Sequence, residues 1–182
     1  MSAPSKRPPE AFLGANLFDV GMGHVVVSRF KSERVEAGVF LLDVYCLGIK
    51  DAFFTRVHLS QYEGGFLDRV FAETRREPLE PGCARKLVED AVAYARGLGF
   101  APHEDYKHAC RVLGGIDPRT CTRSFQFGHD GKPLYIQGPH DSDAKARRIL
   151  NLLQARCGEG NYHFMVLVPG FDAAHFEEEA EQ

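Results

Sequence analysis

The stretch Ala37–Cys46, read as Ala-Gly-Val-Phe-Leu-Leu-Asp-Val-Tyr-Cys, constrains the fold more than any other part of the chain. Drawn as a β-strand, it places Val39, Leu41 and Tyr45 on one face and Phe40, Leu42, Val44 and Cys46 on the other. A strand apolar on both faces must be covered on both sides, so it belongs at the centre of a layered structure. Its neighbours supply the rest of a sheet. His24–Phe30 is a β-branched run, and polar Lys31 to Glu36 turns it into Ala37–Cys46 as a hairpin. Asp51–Leu59 alternates Phe53, Thr55, Val57 and Leu59 against Phe54, Arg56 and His58, which predicts a third strand and an antiparallel meander.

Helical periodicity follows. A helix is expected from about Phe66, with Ser60 and Glu63 at capping-box spacing and Gly64-Gly65 weakening the first turn. Pro78 and Pro81-Gly82 break the chain before the clearest helix, Cys83–Leu98. There Ala84, Leu87, Val88, Ala91, Val92 and Ala95 form one apolar stripe, and Gly97 and Gly99 mark the end. A shorter helix is expected over Glu104–Leu113. Ser124–Phe127 and Leu134–Gln137 flank the turn signal Asp130-Gly131 and read as a hairpin. Asp141, Ser142 or Asp143 caps a further helix to Cys157, closed by Gly158, and His163–Val168 reads as a last strand.

The fold class that follows is α+β. An antiparallel sheet, made of the N-terminal three-stranded meander plus a later hairpin and a final strand, carries three to four helices. A length of 182 residues suits one domain. The expected division is a flexible N-terminal segment over 1–20, a single α+β domain over 21–170 and an acidic C-terminal tail over 171–182. Met1 to Glu10 has no apolar core of a secretory signal, and no run approaches the roughly 18 apolar residues of a membrane span. The five cysteines are odd in number and form no CxxC pair, so the expectation is reduced thiols in the cytoplasm. Cys46 is expected to be buried, and Cys110 and Cys121 to be inert thiols.

Three stretches together resemble a family of bacterial proteins to which no activity is assigned. They are Gly38–Phe53 (GVFLLDVYCLGIKDAF), Ala84–Val88 with Ala93–Phe100, and Phe125–Gly128 with Tyr135–Pro139. The resemblance spans about residues 20–168 and implies a bacterial source without implying a chemistry.

Candidate chemistry rests on a few polar residues. Asp43 stands inside the apolar strand with Lys50 and Asp51 close behind, and burying it unpaired costs several kcal/mol. It therefore requires hydrogen-bond donors, a cation or a metal, and Asp43 and Asp51 are the catalytic candidates. His140, Asp141 and Asp143 are the metal candidates, Mg²⁺ or another divalent cation being the ion that converging carboxylates suit; a capped helix N-terminus explains the same residues apart from His140. His103 and His108 would sit about 140° apart on a helix and would not converge. No glycine-rich stretch matches a nucleotide-binding fingerprint, and no nucleophile elbow is present. No small-molecule cofactor is expected.

A net charge of −3 gives no global pull toward nucleic acid. A local groove from Arg75, Arg76, Arg85, Lys86, Arg96, Lys145, Arg147 and Arg148 with Tyr94 and Tyr135 is the one route to RNA or DNA. The function expected is a non-catalytic binding or accessory module with a protein partner in a larger bacterial assembly. The alternatives are a divalent-metal-dependent hydrolase or nuclease, and an RNA- or ribosome-associated protein.

Overall fold

A computed structural model describes residues 7–166 of the chain. The first strand, β1 (Glu10–Gly14), leads through a one-turn helix, α1 (Leu17–Val20), into the meander β2 (Met22–Lys31), β3 (Arg34–Asp43) and β4 (Gly48–His58). Short helices α2 (Leu59–Gln61) and α3 (Leu67–Val70) flank a π-type turn, and β5 (Arg76–Leu79) follows. Then come α4 (Pro81–Gly97), α5 (Tyr106–Ala109), β6 (Leu134–Ile136), α6 (Asp143–Cys157) and β7 (His163–Met165). The main sheet is antiparallel with order β4-β3-β2-β1-β5. The α+β class and the meander expected from the sequence are both present.

β3 is covered on both sides, as its two apolar faces require. On one side Phe40 and Leu42 join Val25, Val27, Ile49 and Ala52 beneath α4. All six residues of the α4 stripe are buried there, and each Leu or Val so placed stabilises the fold by about 1.5–3 kcal/mol. Pro81 occupies the first turn of α4, where its missing N–H is no loss. On the other side Val35, Ala37 and Val39 lie under Tyr62, Phe66, Leu67 and Phe71. Gly48 opens β4 at φ +71, and a Cβ there would meet Ala95 Cβ at 2.6 Å and Ala91 O at 2.8 Å. Only glycine lets the end of α4 approach the β3–β4 turn this closely.

Four expectations are corrected. The segment 1–20, expected to be flexible, contains β1 and α1, and β1 is an interior strand between β2 and β5. Ala11 and Leu13 face the core, but an alternation over five residues behind Pro8-Pro9 is too short to stand out in the sequence. The second correction concerns Ser124–Phe127, which pairs with no strand. Asp130 and Gly131 make their tight turn with φ of 50° and 77°, closed by a small bridge between His129 and Lys132. Beyond it the amides of Gly128 and Leu134 donate to the carbonyls of Val44 and Tyr45. Phe125 stacks on Phe18 and Phe127 on Tyr94, so ring packing replaces a ladder. β6 instead pairs in parallel with β7.

The third correction is a disulfide between Cys83 and Cys121, where five thiols were expected. The two lie 38 residues apart in sequence, and only the packing of the segment before Phe125 against the start of α4 brings their Cα atoms to 4.7 Å. Cys46, Cys110 and Cys157 are free, and Cys46 is fully buried as expected. The cytoplasmic expectation thereby loses the premise of uniformly reduced cysteines. Fourth, the expected single helix over Glu104–Leu113 is α5 followed by a 3₁₀ turn, Cys110–Leu113. Residues 167–168 of the expected last strand and the acidic tail over 171–182 lie outside the described residues. No helix among the described residues is long and apolar enough to cross a membrane.

Candidate binding cleft

The β3–β4 turn begins at Asp43, whose carboxylate folds back on its own backbone. Oδ1 accepts from the amides of Tyr45 at 3.0 Å and Cys46 at 2.9 Å, and the residue is only 5% exposed. This is the Asx-type turn that Asp forms readily, here sealed inside the protein. Burial pushes the carboxyl pKa up to about 6, against the opposing pull of the Cys46, Leu47 and Tyr45 amides and the Lys50 charge. Asp43 is thus the structural anchor of the turn, engaged by backbone donors.

Past that turn, Leu47, Ile49 and Lys50 form one wall of a cleft of about 390 Å³. The second wall is α6, which presents Lys145, Arg148, Ile149 and Leu152 at helical spacing. Phe100 and His103, in the connection after α4, close the third side. Its floor is apolar and its upper edge is cationic. Lys145 is held by Asp141, with Nζ 2.5 Å from Oδ1. Asp141 Oδ2 also accepts from the Gly138 amide at 3.1 Å and the Tyr135 hydroxyl at 3.3 Å. Burial would raise the Asp141 pKa, yet Lys145, the Gly138 amide and the Lys50 charge outweigh it and hold the group below the ordinary carboxylate value. Among the described residues neither Lys50 nor Arg148 has a carboxylate within ion-pair distance.

The other candidates take separate places. Asp51 lies at the solvent surface, its Oδ1 3.8 Å from His103 Nε2. His103 Nδ1 accepts from the Asp105 amide at 3.3 Å, so a neutral ring carries its proton on Nε2 toward Asp51. His108 sets its ring edge-on to Phe54 and does not join His103. Ser142 is the N-cap of α6, accepting from the Lys145 amide, while His140 and Asp143 are exposed beside it. Asp43, Asp51, Asp141 and Asp143 therefore do not converge. The described residues gather no group of three His, Cys, Asp or Glu side chains able to hold a metal ion.

Four members of the basic set are paired with neighbours: Arg75 with Glu77, Arg76 with Asp68, Arg85 with Glu89 and Lys86 with Asp90. Tyr135 is fully buried, and Tyr94 donates its hydroxyl to the Tyr45 carbonyl and stacks its ring on Phe127. Lys145 and Arg148 meet instead with Lys50 from the far side of the molecule's sequence. Their spacing with Ile149 and Leu152 was visible as one helix face, but nothing in the sequence pointed across to the β3–β4 turn.

Comparison of the chain with models of protein families, with curated proteins and with solved structures finds no match.

Proposed function

We propose that this protein is a non-catalytic binding module, an accessory subunit of a larger assembly, whose cleft between β4 and α6 receives an acidic segment of a partner protein. The observation that carries the reading is the pair of cations without carboxylate partners, Lys50 and Arg148, set above the apolar floor of Leu47, Ile49, Phe100 and Leu152. Unpaired cations at the rim steer an acidic segment in, and an apolar floor gives one aromatic or aliphatic side chain of that segment an anchor. Catalysis finds no comparable support. The ring nitrogens of His103 lie near Asp51 and Asp105, and Asp43 Oδ1 accepts from two buried amides.

The test is fluorescence anisotropy with a labelled synthetic peptide of alternating Glu and Phe at low salt. The wild-type chain should bind it, and affinity should fall as salt screens the rim. The double charge reversal Lys50→Glu with Arg148→Glu should weaken binding by roughly tenfold or more, since each lost contact and new repulsion adds to the other. Equal binding by the double variant, with its thermal midpoint unchanged, would remove the cleft from consideration.

A further inference from the structure

We infer that Asp43 is the pH-responsive element of this cleft, and that the cleft holds an acidic segment more tightly once the Asp43 carboxylate has taken up a proton. The inference rests on the cleft reading above and assigns its regulation.

The geometry has three parts. Asp43 anchors the very turn from which Leu47, Ile49 and Lys50 extend into the cleft. Its contacts are backbone amides; among the described residues no cation lies within ion-pair distance of it, and Lys50 acts on it from farther away. Lys50 is also one of the two rim cations without a carboxylate partner. An ionised Asp43 therefore sets a buried negative charge within electrostatic reach of Lys50 and offsets part of its field, whereas a neutral Asp43 leaves that field whole.

Among the groups coupled to Asp43 through the turn, α4 and β6, Asp43 is the one whose charge burial makes sensitive to mild acid. From the turn comes Cys46, from α4 Tyr94 and from β6 Tyr135, and burial pushes all three up, Tyr135 to about 12. They stay neutral. Lys50 comes from β4, and Asp141, beyond it, is already held ionised by Lys145. β2 pairs with Asp43 through Met22, which carries no charge. Burial places the Asp43 transition at about 6. His103 lines the same cleft with an ionisable ring, so a variant there is the control.

The experiment measures affinity for the labelled Glu-Phe peptide at about pH 5.5 and about pH 7.5. Removing one charge at this range should tighten wild-type binding by about threefold to fivefold at the lower pH. Asp43→Asn keeps an Oδ1 acceptor for the turn and should bind with the tighter affinity at both values, and it also subtracts the peptide's own titration. His103→Gln should keep the wild-type step. If Asp43→Asn keeps the step or His103→Gln abolishes it, the inference is overturned. A second readout needs no variant: the ¹³C carboxyl resonance of Asp43 should titrate in mildly acid solution, and a carboxylate that stays ionised down to about pH 4 overturns the inference. Binding without a pH step removes the inference alone. Absence of binding at both pH values, with Asp43 titrating, removes the cleft reading and this inference with it.

Discussion

The two walls of the cleft each carry a carboxylate that feels Lys50, yet their protonation is pushed in opposite directions. Asp43, on the β3–β4 side, is raised; Asp141, on the α6 side, is lowered. Both lose water on folding, and both accept from backbone amides. Two things differ: Asp43 is the more deeply buried of the two, and only Asp141 has a cation in direct contact. Lys145 lies 2.5 Å from Asp141, and among the described residues Asp43 has no such partner. Burial wins where only amide dipoles oppose it and loses where a full charge joins them. Deeper burial and the kind of neighbour together decide.

Asp43→Ala tests the anchoring role on one side of this contrast and carries the largest expected effect. It would leave the buried Tyr45 and Cys46 amides without an acceptor, at about 1–3 kcal/mol each. Chemical denaturation at about pH 5, where the native carboxyl is largely neutral, should show a loss of about 2–4 kcal/mol. A loss below about 1 kcal/mol would mean that the turn holds without the side chain, and the two walls would then differ less than proposed.

Next in size is the pH dependence of Asp43 itself. A pKa of about 6 in the fold, against 3.8 ordinarily, means that folding favours the neutral form. The stability this contributes is complete below about pH 4 and is lost as pH rises through about 6, a fall of about 3 kcal/mol. Asp43→Asn should flatten that part of the stability profile while keeping the fold. A wild-type profile already flat between about pH 4 and 7 would place the two carboxylates in the same class.

The smallest effect is on the α6 wall, and its sign is reversed. A lowered pKa makes the Asp141 contribution complete above the ordinary carboxylate range and lost as pH falls below it. Lys145 is nearly half exposed, so Lys145→Gln should cost only about 0.5–1 kcal/mol at neutral pH. The same variant should move the Asp141 titration upward by NMR. An unmoved titration would assign the low value to the Gly138 amide instead and would sharpen the contrast to one between two amide sets.

Much of the frame was legible before the structure. The meander, the α4 stripe, the Asp130-Gly131 turn and the N-cap of α6 each follow from residues within one element or one turn, where local periodicity and capping chemistry act. The burial of Asp43 was legible too, because its strand is apolar on both sides. β1 was not, since five residues carry too little periodicity, and its role depends on β2 and β5 lying on either side of it. The Cys83–Cys121 bridge was not, because sequence separation says nothing about approach.

The candidate site divides the same way. The sequence alone determined that Asp43 must be satisfied by donors or a cation, since an apolar strand excludes the water that would otherwise solvate it. It also determined that Lys145, Arg148, Ile149 and Leu152 share a face of one helix. Only the tertiary structure decided that the donors of Asp43 are amides of its own turn, that Asp141 takes Lys145, and that Lys50 and Arg148 meet over a common apolar floor. The reason is physical. Helix and strand periodicity propagate over a few residues, whereas the field at the cleft is set by charges about a hundred positions apart in the chain, brought within a Debye length of each other by the packing of α6 against the β3–β4 turn.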